Sequence, residues 1–329
     1  MSDKNLFDKF LLWDQSLHNY SEVTSRWPGF EEAILDMPQF PIIDTHLHIW
    51  DQTQLRYSAF AANPLFNHPY HIEDYQRDCG NLQIEAMVFL ECFADFWPGG
   101  GQYIDEIKFV EREAIRDGRI KAIVPMAPLE WGAKVEPMLR QMQDQHATVK
   151  GIRRIVEFDQ DTRGLMLSDD FIAGVNLLGK FGWHFEINVN YTQMDIVREF
   201  VLRVPEVPLI LDHCGKPGIK QGAIEQFRDD TKYLSKRKNL WIKLSDLPAA
   251  ADINNWTAAD LNPFIATTLE SFGPDRTIFA GDYPILLQAT TMTQWVDTLD
   301  KAFADLGLSD SETRSIYRDN ANSFYRLGL

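Results

Sequence analysis

The chain has 329 residues, 45% of them hydrophobic, and a formal net charge of -16 at pH 7. This length can bury a large core within one domain, while the acidic balance and the absence of a Lys and Arg cluster argue against nucleic acid and anionic membrane as partners. The three cysteines, Cys79, Cys92 and Cys214, lack metal-type spacing and predict a reducing compartment, by default the cytoplasm. No signal-like apolar core or run of ~20 apolar residues, as a membrane span needs, occurs in the sequence.

The chain begins with an extension, residues 1–40, that carries helical stretches at 5–13 and 30–37. It has no assigned role in a barrel; capping the barrel or contacting a second copy in a homo-oligomer are the two roles left open. From residue 41 to 329, short β-type runs alternate with longer amphipathic segments, and this alternation predicts a parallel sheet. We predict strands at residues 41–48, 84–91, 120–126, 149–155, 183–189, 207–213, 239–245 and 277–282.

Eight such strands predict an α/β fold, a (β/α)₈ TIM-type barrel with an N-terminal helical extension. Apolar residues at helical spacing predict helices over residues 102–117 and 292–306. Ser309 and Glu312 form a capping box that starts a last helix, so the C-terminal end is expected to be part of the fold.

The first strand, IIDTHLH, carries two histidines near its carboxyl end. Because side chains alternate along a strand, we expect Asp44, His46 and His48 to share one face. Histidines in such a pattern are often ordinary hydrogen-bonded core residues. Here they lie at the carboxyl end of a barrel strand, where barrel enzymes place their chemistry, and this position favours a functional role.

Strands six and eight bring further polar residues to the same rim. In LILDH, alternation groups Leu209, Leu211 and His213 on the inward face. In TIFAGD, Asp282 ends the last strand and is followed by Pro284, which stops the pairing. We therefore expect His213 and Asp282 to lie near the two histidines of strand one.

Polar residues also occupy the inward positions of strands four, five and seven. Alternation places Arg153 inward on strand four, Glu186 and Asn188 on strand five, and Lys243 on strand seven. Glu91, at the end of strand two, is equally compatible with a solvated rim carboxylate and with a ligand contact. Several charges that converge at one barrel end can pair with each other and with a ligand, so these five residues are candidates for substrate binding.

Six motifs then carry a resemblance to a known family: IIDTHLHIWD, VKGIRR, ILDHCGKP, NLWIKLS, FGPDRTIFAGDYP and NANSFYRL. In this order and spacing they resemble the sugar-lactonase branch of the amidohydrolase superfamily, which includes fuconolactonase and rhamnonolactonase-like enzymes and is related to pyrone-dicarboxylate lactonase. The resemblance covers residues 41–329. It implies a distorted (β/α)₈ barrel in which Asp282 handles the proton of the attacking water and His46, His48 and His213 surround the scissile carbonyl.

The resemblance also bears on metals. The wider superfamily has a bridging Lys or Glu on strand four and a His near the end of strand five, where this chain has Arg153 and Asn188. These differences argue against a two-metal site. Because the lactonase branch often works without a metal, we expect no required cofactor; the alternative is one divalent ion, zinc, on His46, His48 and Asp282.

These observations predict a hydrolase that opens a lactone ring, either of a sugar acid or of the pyrone or muconolactone type. Asp282 would be the general base, and Arg153 and Lys243 would hold a hydroxyl or carboxylate of this small-molecule substrate. One alternative is a metal-dependent decarboxylase of an aromatic or muconate-type acid on the same barrel. A second is a non-catalytic barrel that binds sugar acids.

Overall fold

A computed structural model describes residues 40–95 and 101–329 of the chain. The predicted N-terminal extension therefore lies, except for its last residue, outside the described residues, and the domain boundary at residue 40 stays a prediction. All eight predicted strands are present, and the ends of each lie within a few residues of the predicted ends. They are β1 (Ile42–Leu47), β2 (Ile84–Leu90), β3 (Ile120–Val124), β4 (Gly151–Arg153), β5 (His184–Ile187), β6 (Leu209–Leu211), β7 (Leu240–Leu244) and β8 (Thr277–Phe279).

The strands are parallel and form a closed barrel. Two runs of neighbours, β1 to β3 and β4 to β8, are fully paired. Isolated bridges join them: Ile123 pairs with Val149 and Met126 with Arg153 between the β3 and β4 regions, and Leu47 pairs with Tyr283 between β1 and the end of β8. The predicted (β/α)₈ barrel is thus confirmed, and all eight strands end at one rim.

Helices separate the strands and cover the outside of the barrel. The predicted helices at 102–117 and 292–306 are confirmed within one residue at each end. Ser309 caps the helix that begins at Asp310, as predicted. No helix among the described residues is long and apolar enough to cross a membrane. The helices are α1 (Ile72–Asp78), α2 (Gly101–Arg116), α3 (Glu136–Gln145), α4 (Thr162–Met166), α5 (Asp169–Phe181), α6 (Met194–Arg203), α7 (Ile224–Leu234), α8 (Leu247–Ala250), α9 (Ala258–Phe272), α10 (Met292–Asp305), α11 (Asp310–Arg314) and α12 (Asn320–Tyr325).

Two apolar groups of side chains fill part of the barrel interior. Small and branched side chains from four strands meet there, and Ala321 of α12 packs among them. Tyr325 of the same helix packs against a second group from β2 and β3. The C-terminal helix therefore closes the amino-terminal end of the barrel and leaves the carboxyl-terminal rim for polar chemistry. The strand residues of these two groups are Ile43, Ala86, Val88, Leu90, Ala122, Val124, Ile210 and Ile278.

Strand alternation predicted one face of β1 incorrectly. Ile43 packs inside the barrel, so Asp44 points outward, where Tyr75 of α1 donates to its carboxylate over 2.9 Å. The pairing register of β1 on β2 shifts between Asp44 and Leu47, as at a β-bulge. This irregularity breaks the alternation and lets His46 and His48 face the interior although Asp44 does not.

The prediction for β6 was wrong in a similar way. Ile210, not Leu209 or Leu211, packs in the interior group. Asp212 continues that inward face and lies 3.3 Å from the Arg153 guanidinium. His213 also faces the site because the strand ends at Leu211 and His213 has left-handed backbone with φ of 51°. Two successive residues can then point to one side, which a regular strand forbids.

Candidate active site

Backbone strain is concentrated at the carboxyl-terminal rim of the barrel. Seven non-glycine residues among those described have a positive φ, and only one of them, Arg326, lies elsewhere. Left-handed backbone costs energy in residues with a side chain and is found where the surrounding structure enforces it, often at functional sites. The six rim residues are Phe93, His213, Cys214, Lys216, Asp246 and Asp282.

Three of the predicted site residues form a compact trio. The Nε2 atoms of His46 and His48 lie 3.1 Å apart, and each is 3.4 Å from Asp282 Oδ1. All three side chains are buried. The sequence therefore predicted correctly that β1 and β8 bring these groups together.

A hydrogen bond from His48 to β2 fixes which of its ring nitrogens carries the proton. His48 Nδ1 lies 2.9 Å from the Leu90 carbonyl oxygen. Because a carbonyl oxygen can only accept a hydrogen bond, His48 Nδ1 carries the proton and Nε2 carries the lone pair. Burial, followed by the charge of Arg153, lowers the pKa of His48 to about 3. Burial also holds the pKa of His46 well below its usual range. Both imidazoles are therefore neutral at pH 7.

Two uncharged imidazoles and a carboxylate oxygen that converge within hydrogen-bond range form a donor set suited to a divalent cation. Their ligand atoms lie within 4.8 Å of one another. When the proton of neutral His46 is on Nδ1, the lone pairs of both Nε2 atoms face Asp282 Oδ1, and a cation between them would satisfy all three atoms. The residues present thus fit a mononuclear metal site of two histidines and one aspartate.

The third predicted histidine packs against His46 and also lies near Asp282. His213 Nδ1 is 2.9 Å from Ser245 Oγ and 3.9 Å from Asp282 Oδ2. The Asp246 carboxyl group also contacts Asp282, and its Oδ1 is buried with no hydrogen-bond partner among the described residues. Burial raises the pKa of Asp282 to about 7, so this carboxylate is more basic than an ordinary aspartate.

Arg153 lies beside the trio and is held on several sides. Its Nε donates to Glu91 Oε1 over 3.0 Å and its Nη1 to Asp212 Oδ2 over 3.3 Å, while Nη2 bonds the Glu91 carbonyl. Nη1 also lies 2.9 Å from His46 Nε2. Although burial alone would lower the pKa of Arg153, the carboxylates of Glu91 and Asp212 raise it, so the guanidinium stays charged.

Lys243 and Glu186 lie beneath His46. Lys243 Nζ is paired with Glu186 and, over 3.0 Å, with Asp212 Oδ1, and it lies 3.3 Å from His46 Nδ1. Tyr325 donates to the other Glu186 oxygen over 2.8 Å. Both Lys243 and Glu186 are completely buried. Their polar atoms are therefore used by other side chains of the protein, which is typical of residues that position a site from below.

Asn188 differs from the other candidates for substrate binding. It follows β5 at the rim, is 4% exposed, and its Oδ1 is buried without a hydrogen-bond partner among the described residues. A buried amide oxygen without a partner is costly unless a ligand or water satisfies it. Asn188 is thus the candidate best placed to accept a hydrogen bond from a substrate hydroxyl.

Two residues of the site were missed by the sequence reasoning. Asp212 neighbours His213, and Asp246 follows Ser245 at the end of β7, but neither was singled out. For Asp212 a signal existed, because the alternation that places Ile210 inward also places Asp212 inward. Asp246 reaches the site through left-handed backbone with φ of 56°, which alternation cannot predict.

A closed parallel barrel with this group of histidines and aspartates at its carboxyl rim defines a barrel enzyme rather than a scaffold. Residues 43–327 match the amidohydrolase family, so the chain belongs to that family.

Similar proteins are found among curated sequences and solved structures. The chain is 27% identical to L-fucono-1,5-lactonase of Burkholderia multivorans, with 87% of this chain and 96% of the relative covered. It is 23% identical to L-rhamnono-gamma-lactonase of Scheffersomyces stipitis, with 88% and 100% covered. A crystal structure of an amidohydrolase from Burkholderia multivorans with bound zinc has a TM-score of 0.76 at 23% identity and covers 87% of this chain and 99% of its own.

The expectation that no cofactor is required is contradicted by two findings. The similar amidohydrolase structure from Burkholderia multivorans contains zinc. In this chain, His46, His48 and Asp282 form a group that could hold a metal ion. The physical reason is that the folded barrel brings the Nε2 atoms of both histidines and Asp282 Oδ1 together, a feature that residue spacing alone does not show.

Proposed function

We propose that this protein is a lactonase, a hydrolase that opens the ring ester of a sugar-acid lactone. The observation that carries the proposal is the Asp282 carboxylate, whose Oδ1 lies 3.4 Å from the Nε2 atoms of His46 and His48 and whose Oδ2 lies 3.9 Å from His213 Nδ1. The lactonases of Burkholderia multivorans and Scheffersomyces stipitis, which are similar over nearly their whole length, support a sugar-acid lactone as the substrate class.

We propose that His46, His48 and Asp282 hold one divalent ion, with zinc as the best candidate. When bound, such an ion polarises a carbonyl oxygen and makes water more acidic. Three protein ligands leave a coordination position open, as catalytic zinc sites require.

Asp282 accepts the proton of the attacking water as the water oxygen bonds to the lactone carbonyl carbon. The ring carbon–oxygen bond then breaks, and the proton passes to the departing alkoxide, so that the product is an open hydroxy acid. Ser245 Oγ lies 2.9 Å from His213 Nδ1, and with the serine as donor the hydrogen of neutral His213 would be on Nε2, available to the substrate. Asp246 contacts Asp282 and holds its orientation.

For the five remaining candidates and Asp246 we propose two kinds of role. Asn188 and the free oxygen of Asp246 bind substrate hydroxyls, because both have unused acceptor atoms. Arg153, Lys243, Glu186 and Glu91 position His46 and Asp212 through their mutual ion pairs. Direct contact of these four with the substrate, a cytoplasmic location and a homo-oligomer stay predictions.

A pH-indicator assay tests the proposal. Zinc-loaded protein is offered sugar-acid lactones, pyrone and muconolactones, and separately an aromatic acid whose decarboxylation is followed by release of carbon dioxide. We expect acid release from a sugar-acid lactone, abolished by a chelator and restored by zinc. Carbon dioxide release without lactone opening would support the decarboxylase, and lactone binding without turnover would support a binding barrel; either result overturns the proposal.

A further inference from the structure

Arg153 has an unusual position for a cation next to a metal site. Its guanidinium is 2% exposed and is fixed by Glu91 and Asp212. It cannot swing away without breaking its ion pairs with these two buried carboxylates, which is strongly unfavourable. Arg153 is therefore a permanent cation beside His46.

The Arg153 contact uses the same atom that a metal needs. Nη1 lies 2.9 Å from His46 Nε2, the nitrogen that faces His48 and Asp282. A neutral imidazole nitrogen has one lone pair, so it accepts a hydrogen from Arg153 or binds a cation, but it does not do both. The positive charge of the guanidinium also repels a divalent ion at this distance.

The opposite nitrogen of His46 adds to the same effect. Nδ1 must carry the proton when Nε2 is a ligand, and it then faces Lys243 Nζ at 3.3 Å and Asp212 Oδ1 at 3.8 Å. The lysine opposes this tautomer and the aspartate favours it. Two neighbouring cations, Arg153 and Lys243, therefore oppose the binding of a metal ion to His46.

We infer that Arg153 competes with the metal ion for His46 Nε2 and thereby keeps the metal weakly held and exchangeable. The inference rests on the proposed zinc site. It predicts that His48 and Asp282 contribute more to zinc affinity than His46 does. Removing the guanidinium would release His46 and tighten zinc binding.

Zinc affinity is measured by competition with a chromophoric chelator in the wild type, Arg153→Met and Arg154→Met. Arg154 carries the same charge but pairs with Glu130 and Asp159 instead, so it controls for the change in net charge. We expect Arg153→Met to bind zinc about tenfold more tightly or better, and Arg154→Met to match the wild type. An unchanged or weaker affinity in folded Arg153→Met protein overturns the inference.

Arg153→Lys is the second variant, in case Arg153→Met does not fold. Lysine keeps the charge, but a single ammonium group cannot reproduce the planar fork that bonds Glu91 and His46 together. We expect a zinc affinity between those of the wild type and Arg153→Met, and wild-type affinity for Arg153→Lys contradicts the competition. If neither the wild type nor any variant binds zinc, the metal site of the proposed function is refuted as well. If the wild type binds zinc but the variants do not bind it more tightly, only the competition by Arg153 is refuted.

Discussion

The Gly281 amide donates to Asp44 Oδ1 over 2.8 Å, and this bond joins the first strand of the barrel to the residue before Asp282. The same carboxylate accepts from Tyr75 of α1 and from the His46 amide over 3.1 Å. Asp44 thus lies outside the barrel interior, and its carboxylate connects the backbone at His46 with the backbone next to Asp282. Its role is to fix the backbone from which His46 and Asp282 project.

Replacing Asp44 tests this role. Asp44→Ala leaves the Gly281 amide and the Tyr75 hydroxyl buried without their acceptor, and we expect it to reduce the free energy of unfolding by about 2–4 kcal/mol. Turnover should fall as well, because Asp282 loses its fixed backbone. Asp44→Asn keeps one oxygen acceptor and should lose less stability. Urea unfolding of both variants measures the difference, and equal stability of Asp44→Ala and wild type would refute the role.

The contact between β4 and β5 gives a second prediction. A methyl group at Gly151 would overlap the buried His184 ring, which bonds Glu186 beneath the site. We expect Gly151→Ala to destabilise the protein by about 1–3 kcal/mol through overpacking. Gly179→Ala is the control, since Gly179 lies within α5 and nothing lies within 4 Å of its added methyl group. Thermal unfolding should separate the two variants, and a similar melting temperature for both would be evidence against this packing.

Glu106 of α2 makes stability depend on pH. Burial, followed by the charge of Glu91, raises the pKa of Glu106 from 4.5 to about 8. Between these values the folded protein holds a proton that the unfolded chain has released, so the free energy of unfolding falls as pH rises from about 4.5 to about 8. Glu106→Gln should remove up to about 3 kcal/mol of this fall. Urea unfolding at pH 5 and pH 8 measures it, and an equally steep fall in the variant would count against the assignment.

Asn188 provides a prediction for substrate binding. Its free Oδ1 at the rim should accept a hydrogen bond from a substrate hydroxyl, so Asn188→Ala should raise KM by about tenfold. The stability should hardly change, since no bond within the described protein is lost at that oxygen. Asn176→Ala, a change on the outer surface of α5, serves as the control. Unaltered steady-state kinetics of Asn188→Ala would exclude a substrate contact.

Much of this fold could be predicted from the sequence, because each strand combines an apolar run with turn residues at its ends. The inward positions of Arg153, Glu186 and Lys243 also followed from strict alternation, since β4, β5 and β7 are regular. Alternation failed at Asp44 and at Leu209, where a shifted register and an early strand end change the face. Such irregularities depend on tertiary pairing and leave no periodic signal in the sequence.

The sequence did not show that His46, His48 and Asp282 form a group that could hold a metal ion, for a related reason. His46, His48 and Asp282 were all named from the sequence, but the direction of each lone pair depends on partners such as the Leu90 carbonyl. Those partners come from neighbouring strands. Only the assembled barrel brings the two Nε2 atoms and Asp282 Oδ1 to one point.

We propose that Asp282 activates water for lactone opening. It is tested most directly by kcat/KM on a sugar-acid lactone for the wild type, Asp282→Asn and Asp195→Asn, with zinc content measured in each sample. Asp195→Asn makes the same chemical change at an exposed ion pair with Arg163. We predict a loss of about a thousandfold or more for Asp282→Asn and wild-type activity for Asp195→Asn. Full activity in folded Asp282→Asn protein would contradict the account.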